Sequence, residues 1–169
     1  MLGLTNGVVQ LCPYTTEWQR LFDEERTRLQ SCVGRFVLDI QHIGSTAIPG
    51  IVAKPILDIS VAVANFEEAQ VCIEPIERLG YIYRGEYGIP RRHYFVKGEP
   101  RTHHLHMVEI ASAGWKENLF FRDYLREHPE AAADYARTKI RLAKYLRSER
   151  QDYQSEKGMF IQQILTKMP

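Results

Sequence analysis

The segment from residue 42 to residue 63, HIGSTAIPGIVAKPILDISVAV, constrains the fold more than any other part of the chain. Two apolar runs flank a Gly44-Ser45-Thr46 turn, and the second run, PILDISVAV (55–63), is apolar at nearly every position, as is typical of a central strand. That strand nevertheless contains Asp58. A carboxylate in such a place is costly unless it is hydrogen-bonded, paired or bound to a metal. Asp58 therefore needs a partner, and a structural pair with nearby Lys54 is one possibility.

The rest of the chain predicts helices and strands around this segment. A first helix starts at a capping box formed by Thr16 and Gln19 and runs to about Cys32, and a second helix runs from the cap Asn65 to Gly80. The predicted strands are RFVLDIQHI (35–43), PILDISVAV, YIYR (81–84), RHYFVK (92–97) and THHLHMVE (102–109). From Gly114 onward the pattern is helical, with breaks at His128-Pro129 and near Ser148 to Gln151. The order predicts an α+β fold in a single domain of residues 1–169, with the sheet at about 34–110 and C-terminal helices at about 114–167.

Composition excludes several classes of protein. A formal net charge of +1 gives no overall attraction to nucleic acid or to a membrane, so phosphate binding would have to come from a local patch. Three widely spaced cysteines without a CxxC pair indicate core residues in a reducing compartment rather than a disulfide or zinc framework. The chain opens without a signal-peptide pattern and contains no apolar run of about 18 residues. We therefore expect a cytoplasmic protein without nucleic-acid or membrane partners.

The Gly44-Ser45 pair is a candidate phosphate contact. A glycine followed by serine at a strand exit can bring backbone N–H groups and a hydroxyl against a phosphate, because no Cβ blocks the approach. Taken alone, the same pair is far more often an ordinary turn than a phosphate site. It is not a Walker loop, because no Lys-Ser or Lys-Thr follows in the required register.

Strand alternation groups the candidate catalytic residues. It places Asp58 and Ser60 on one face of their strand, and His104 and His106 on one face of THHLHMVE. The two histidines suit general-base catalysis, phosphate hydrogen bonding or a softer metal, and they are also compatible with a structural role in a half-buried strand. Glu109, at the end of the same strand, is a candidate further acid for Mg²⁺.

Basic residues cluster on the same strands. The cluster comprises Arg84, Arg91, Arg92, Lys97 and Arg101. As a group they predict the mouth of a polyphosphate site. Individually, each is better explained as a solvated charge that blunts a sheet edge.

A strand, a Gly-Ser turn, a short connection and a strand bearing an acid together resemble nucleotidyltransferases of the polymerase-beta-like fold. HIGSTAIPGIVAKPILDISV, YRGEYGIPRRHYF, RTHHLHMVE, LFFRDYLREHPEAAADYARTK and EKGMFIQQIL resemble, in order, the blocks of the GrpB family within that superfamily. The resemblance covers nearly the whole chain and implies a nucleotidyltransferase-like mixed sheet flanked by helices. It also implies a nucleotide site, for which the candidate contacts are Gly44, Ser45, Thr46, Lys54, Arg91, Arg92, Arg101, Lys139 and Lys157.

One departure from the superfamily pattern concerns the metal. The paired acids would be Asp-x-Asp, whereas this chain has Asp58-Ile59-Ser60. Two carboxylates hold Mg²⁺ far better than one carboxylate and a hydroxyl. Asp58, Ser60 and Glu109 are therefore the candidate metal ligands, with another group needed to complete the site.

These features leave two functions open. The first is a Mg²⁺-dependent nucleotidyltransferase that moves a nucleoside monophosphate from an NTP to an unknown small-molecule acceptor, with Asp58, His104, His106 and Glu109 as catalytic residues. The second is a non-catalytic nucleotide- or metabolite-binding protein that kept the cleft and lost the second acid. A metal-dependent hydrolase built on His104 and His106 ranks last. The resemblance also implies a link to CoA metabolism, because related domains occur fused to dephospho-CoA kinase.

Overall fold

In the computed structural model, residues 1–5, 7–145 and 150–169 are described. Within them, five strands form one sheet in the order β1-β2-β5-β4-β3. Their bounds are Asp39–Ile43 (β1), Leu57–Val63 (β2), Tyr81–Tyr83 (β3), Arg92–Lys97 (β4) and His103–Glu109 (β5). β2 pairs with β5 in parallel, and the other neighbours are antiparallel. The predicted α+β fold with a mixed sheet is confirmed.

One face of the sheet packs against the first two helices. These are α1 (Glu17–Val33) and α2 (Ile73–Arg78). Trp18, Phe22 and Leu29 of α1 form a single buried cluster with alternate residues of the central strands, among them Leu57 and Leu105. The spacings of four and seven residues along α1 put the three side chains on one side of the helix, which gives α1 the apolar stripe that this face requires.

The opposite face carries the active-site candidates and is partly covered by the C-terminal helices. These are α3 (Ala113–Glu127), α4 (Pro129–Tyr145) and α5 (Arg150–Leu165). Trp115 of α3 packs on Ala62 of β2 and Val108 of β5. A separate buried cluster joins α3, α4 and α5 to the connection after β1, with Ile48 and Ile51 contributed by that connection. The C-terminal helices are thereby held against the turn that follows β1.

Two predicted boundaries differ from the structure. Thr16 makes no side-chain cap; Oγ1 of Thr15 instead accepts a hydrogen bond from the N–H of Glu17, at 3.2 Å. β1 begins at Asp39, because residues Gly34–Phe36 form a 3₁₀ turn. Here the local turn geometry overrides an apolar pattern that predicts a longer strand.

The helix predicted after Asn65 is present in two parts. Oδ1 of Asn65 accepts from the N–H of Glu68, as expected of a cap, but the following residues Glu68–Cys72 form a 3₁₀ helix before α2 begins. Pro75 explains the change, because it lacks an N–H and is tolerated only in the first turn of an α-helix.

The C-terminal part follows the predicted order. The break at His128-Pro129 is confirmed, since α3 ends at Glu127 and α4 begins at Pro129. Of the second break, predicted near Ser148 to Gln151, residues 146–149 lie outside the described residues, and α5 is described from Arg150. No described helix combines the length and apolarity needed to cross a membrane.

Candidate functional site

The turn after β1 brings the backbone directly against Asp58. Gly44 has φ +70° and ψ −174°, a conformation essentially confined to glycine, and a 3₁₀ turn of Ser45–Ala47 follows. A Cβ on Gly44 would lie 2.6 Å from Oδ2 of Asp58, so only glycine permits this approach. His42 secures the turn, because its Nε2 lies 2.9 Å from Oγ1 of Thr46. The turn and the Asp58 carboxylate therefore form one packed unit.

Parallel pairing of β2 with β5 places two imidazoles beside Asp58. The register aligns Asp58 with His104 and Ser60 with His106, so all four side chains belong to the same face of the sheet. Nδ1 of His104 lies 3.0 Å from Oδ1 of Asp58, and Nε2 of His106 lies 3.9 Å from the same oxygen. Asp58, which as an acid in an apolar strand needs a polar partner, thus finds one on β5.

The charge of Asp58 fixes which nitrogen of His104 donates to it. Burial acts to raise the pKa of Asp58, but the hydrogen bond from His104 and the nearby ring of His106 outweigh burial and hold that pKa below the usual range. Asp58 is therefore ionised at neutral pH and accepts the Nδ1–H of His104. A neutral His104 then carries its lone pair on Nε2, where it can accept a proton.

Arg92 fixes the opposite tautomer in His106. Nη1 of Arg92 lies 3.2 Å from Nδ1 of His106, and a guanidinium can only donate, so Nδ1 accepts. Burial, opposed by Asp58, lowers the pKa of His106, and the neutral ring therefore keeps its proton on Nε2. The same guanidinium donates to the carbonyls of Glu86 and Tyr87. Arg92 was a predicted nucleotide contact, whereas the structure shows it buried and holding His106.

A cavity of about 430 Å³ opens beside Asp58, and we call it the basic cavity. Its described lining contains five Lys and Arg side chains against one carboxylate, that of Asp58. The cations are Lys54, Arg84, Arg101, Lys139 and Lys157, and the predicted residues Ser45, Thr46 and His104 line the same cavity. This excess of positive charge favours a ligand that carries several negative charges.

Lys139 is the most buried of these cations, with a relative exposure of 2%. Its Nζ donates to the carbonyl of Val52 and lies 4.6 Å from the centroid of the Tyr135 ring. Burial, together with the charges of Lys157 and Lys54, lowers the pKa of Lys139 to about 7. Part of the Lys139 population is therefore neutral near pH 7, and a bound anion would favour its charged form.

The N-terminal segment and two tyrosines complete the basic cavity, and sequence reasoning missed both. Leu4 and Arg101 exchange two backbone hydrogen bonds of 2.9 and 3.0 Å, which places the N-terminal segment along the cavity wall. An isolated bridge of this kind leaves no periodic pattern in the sequence. Tyr94 and Tyr87 stack with ring centroids 5.1 Å apart. The alternation of β4, which puts Tyr94 on the face of Arg92, was an available signal for it.

A smaller cavity of about 270 Å³ lies on the other side of Asp58, against α3 and α5. Ser45, Asp58 and Lys157 line both cavities, whereas His104 lines the basic cavity and His106 lines the smaller one. Gly44 also lines the smaller cavity, as do the unpredicted residues Glu117, Asn118 and Gln162. Sequence offered no signal for these three, because polar residues on a helix are usually solvent-exposed.

Ser60 does not present a ligand to either cavity, contrary to prediction. Alternation correctly put it on the face of Asp58, but its side chain is wholly buried and its Oγ has no hydrogen-bond partner within the described part of the chain. A hydroxyl closed off from solvent cannot share an ion with Asp58 in the cleft. The predicted role of Ser60 as a metal ligand is therefore wrong for this structure.

Glu109 and Arg91 lie at the far end of the sheet. Glu109 pairs with Val63, which lies roughly 16 Å from Asp58 along β2 at 3.3 Å per residue. Nη2 of Arg91 donates to Glu109 at 2.9 Å, and Nη1 donates to Glu67 at 2.7 Å. The predictions that Glu109 shares a metal or a catalytic site with Asp58, and that Arg91 contacts the nucleotide, are wrong for this reason.

Only some of the basic residues predicted to surround a polyphosphate site line the basic cavity. Arg84 and Arg101 line the basic cavity. Lys97 belongs to the opposite face of the sheet, where its Nζ donates to the buried Glu25 at 2.7 Å. Alternation along β4 separates Lys97 from Tyr94, which explains why neighbours in sequence serve different faces.

The donor atoms around Asp58 fit a magnesium ion only in part. Among the described residues, no group of three or more His, Cys, Asp or Glu side chains is arranged to hold a metal ion. Mg²⁺ is, however, commonly bound through one or two carboxylates together with the phosphates of a substrate. Asp58, as the one carboxylate in the described lining of a cavity with five cations, fits that second arrangement and not an ion held by protein alone. The same finding weighs against a metal centre built on His104 and His106.

Comparisons with known proteins find relatives of one family over nearly the whole chain. The family model described as GrpB protein matches residues 8–167. The Glutamate-rich protein GrpB of Alkalihalophilus pseudofirmus is 37% identical over 99% of this chain and 100% of that protein. The UPF0157 protein YqkA of Bacillus subtilis is 43% identical over 80% of this chain, which spans 40% of that longer protein. The crystal structure of conserved protein GrpB from Enterococcus faecalis aligns with a TM-score of 0.85 at 33% identity, covering 94% of this chain and 98% of that one.

Proposed function

The chain belongs to the GrpB family, and from that premise we propose that it binds a nucleoside triphosphate in the basic cavity and transfers the nucleotidyl group to a small acceptor. One observation carries the proposal. The turn at Gly44 and a cavity lined by five cations both lie against a single ionised carboxylate, that of Asp58. The resemblance to polymerase-beta-like nucleotidyltransferases supports the same reading.

The cations suit a polyphosphate chain. Arg84 and Arg101 can bind phosphate oxygens with two N–H groups each, and the lysines act as point charges. Ser45, in the turn that Gly44 makes possible, adds a hydroxyl beside Asp58. Together these groups would hold the phosphates against the carboxylate.

The tyrosines suit the base. Tyr87 is 69% exposed and lines the basic cavity, and its ring stacks on that of Tyr94. An exposed aromatic face supports base stacking of about 1–3 kcal/mol without selecting one base. This favours a nucleotide over a bare polyphosphate.

Asp58 would hold Mg²⁺ that arrives with the triphosphate, and the ion would neutralise charge that develops on the phosphates. The chain's own contribution is proton transfer and positioning. His104, with Nδ1–H donated to Asp58, can accept the proton of an acceptor hydroxyl at Nε2. The hydroxyl oxygen forms a bond to the α-phosphorus, the bond from that phosphorus to the bridging oxygen of the β-phosphate breaks, and pyrophosphate leaves. His106, with Nε2 protonated, can donate a hydrogen bond and cannot serve as this base.

A second function, a non-catalytic nucleotide-binding protein, is favoured by the loss of the second acid. Ser60 is buried, and Glu109 is occupied by Arg91 at the far end of the sheet. The cleft would then bind the triphosphate without transferring it.

The test measures binding and pyrophosphate release separately. Each NTP is titrated calorimetrically with Mg²⁺, and release is followed in the presence of a metabolite extract and of dephospho-CoA, which the family resemblance suggests. Arg101→Ala should weaken binding roughly tenfold to a hundredfold, since hydrogen bonds to charged groups are worth about 1.5–3 kcal/mol. Arg91→Ala is the matched control, because Glu67 and Glu109 hold its guanidinium outside the cavity.

Three outcomes are distinguishable. Acceptor-dependent release that is lost in Asp58→Asn supports the transferase. Binding that depends on Arg101, without release for any acceptor, supports the non-catalytic protein. If no NTP binds, or if Arg91→Ala weakens binding as much as Arg101→Ala, the nucleotide site is not in the basic cavity and both functions are rejected.

A further inference from the structure

The smaller cavity and the basic cavity share three of their described lining residues. Ser45, Asp58 and Lys157 belong to both, and every other lining residue belongs to one or the other. Asp58 thus stands at a junction with His104 on one side and His106 on the other. A ligand in each cavity would present its nearest atoms to the same carboxylate.

The two cavities differ in charge. The basic cavity has five cations and one acid in its described lining, whereas the smaller cavity has Lys157 as its cation with Asp58 and Glu117 as acids. The side-chain amides of Asn118 and Gln162 add donors and acceptors. A polyphosphate is therefore attracted to the first cavity, and a neutral or cationic molecule suits the second.

The remaining wall is largely carbon. Phe121 and Tyr135 pack edge-to-face with ring centroids 5.3 Å apart, and Ile161 and Leu165 of α5 lie on the same wall. Such a wall, with a few convergent polar groups, is typical of a small-molecule site. His106 contributes a fixed donor, because Arg92 occupies its Nδ1.

We propose that the smaller cavity binds the acceptor, and that this acceptor is a small polyhydroxylated amine. Its ammonium group pairs with Glu117, its hydroxyls contact Asn118, Gln162 and His106, and its reactive hydroxyl points toward Asp58 at the junction. This inference rests on the proposed function, since it assigns the acceptor side of the same transfer. As in the transfer step above, Nε2 of His104 accepts the proton of that hydroxyl, and pyrophosphate leaves from the α-phosphorus.

The experiment observes the cavity directly by protein NMR. The side-chain amide signals of Asn118 and Gln162 are followed during titration with glucosamine, with glucose as the analogue without an amine and glucuronate as the anionic one. We expect glucosamine to shift both signals most strongly and glucuronate least. Glu117→Gln should weaken glucosamine binding at least about tenfold, whereas Glu127→Gln, an exposed glutamate on the same helix, should leave it unchanged.

ATP binding is measured on the same samples and separates the two proposals. In Glu117→Gln, ATP affinity should stay as in the parent, because Glu117 is not among the residues that line the basic cavity. ATP binding without any response of Asn118 or Gln162 to glucosamine, or with a stronger response to glucuronate, overturns the acceptor site. Glucosamine binding without ATP binding overturns the proposed function instead.

Discussion

Gly44 and Asp58 are in such close contact that a single carbon atom added to Gly44 would lie 2.6 Å from Oδ2 and 3.0 Å from Cβ of Asp58. The contact joins the turn after β1 to the strand that carries the acid. It also makes the position of the carboxylate depend on a residue that has no side chain.

Gly44→Ala should therefore destabilise the protein for two reasons, backbone strain and steric overlap with Asp58. Gly50→Ala is the matched control, because Gly50 also has a positive φ, of +82°, but a Cβ there would meet nothing within 4 Å. We expect about 1–2 kcal/mol from Gly50→Ala and at least about 1 kcal/mol more from Gly44→Ala. Urea unfolding of both variants measures the difference, and equal losses would contradict the overlap.

Ser60 should tolerate loss of its hydroxyl. Its buried Oγ is without a partner among the described residues, so Ser60→Ala should leave the free energy of unfolding unchanged or raise it by up to about 1 kcal/mol. Ser112→Ala is the contrasting control, because Oγ of Ser112 caps α3 by accepting from the N–H of Trp115 at 3.2 Å. That variant should lose about 1 kcal/mol.

Ser60→Asp extends this prediction to metal binding. A carboxylate at this buried position should cost roughly 3 kcal/mol or more. Added Mg²⁺ should not restore the melting temperature, because the position does not open into the cleft. A Mg²⁺-dependent recovery would show that Ser60 reaches the ion after all.

Acid should destabilise the fold through His42 and His103. Burial lowers the pKa of each imidazole to about 4, below the value of about 6.5 expected in the unfolded chain. Between about pH 6.5 and pH 4 the unfolded chain therefore binds more protons, and stability falls as pH falls by up to about 1.4 kcal/mol per pH unit for each histidine. Urea unfolding across this range should show the slope, and His42→Gln should reduce it by close to one proton. An unchanged slope would mean that His42 is charged in the folded protein.

Anion binding should take up a proton at Lys139. Its pKa of about 7 should rise when phosphate charge enters the cavity, so affinity for tripolyphosphate should fall as pH rises from about 7 to 9. Calorimetry in two buffers of different ionisation enthalpy measures the uptake directly. Lys139→Met should remove most of it, and Lys144→Met, an exposed lysine on the same helix, should not. Equal uptake in both variants would assign the proton to another group.

The strand pattern predicted much of this site for a physical reason. Alternation is a property of the local backbone, so it correctly grouped Asp58 with Ser60 and His104 with His106. The Gly44 turn could also be predicted, because few residues other than glycine allow a backbone to approach a half-buried acid this closely.

The wrong predictions depend on distances along and across the sheet, and local sequence patterns carry no information on such distances. Glu109 shares a strand with His104, but the register with β2 sets it opposite Val63 and away from Asp58. Ser60 is on the predicted face but buried. The smaller cavity arises only when α3 and α5 pack on the sheet, so the sequence could not distinguish the exposed Glu117, which lines that cavity, from other exposed glutamates on helices.

Asp58 and His104 are 46 residues apart along the chain, yet they meet through adjacent parallel strands. Closing a loop of this length carries an entropic cost that local pairing does not, so such contacts form late in folding. A folding intermediate with only the β4–β5 hairpin would contain His104 without any carboxylate beside it. On the proposed function, triphosphate affinity would therefore be a kinetic marker for the pairing of β2 with β5. During refolding it should appear after helix formation is complete.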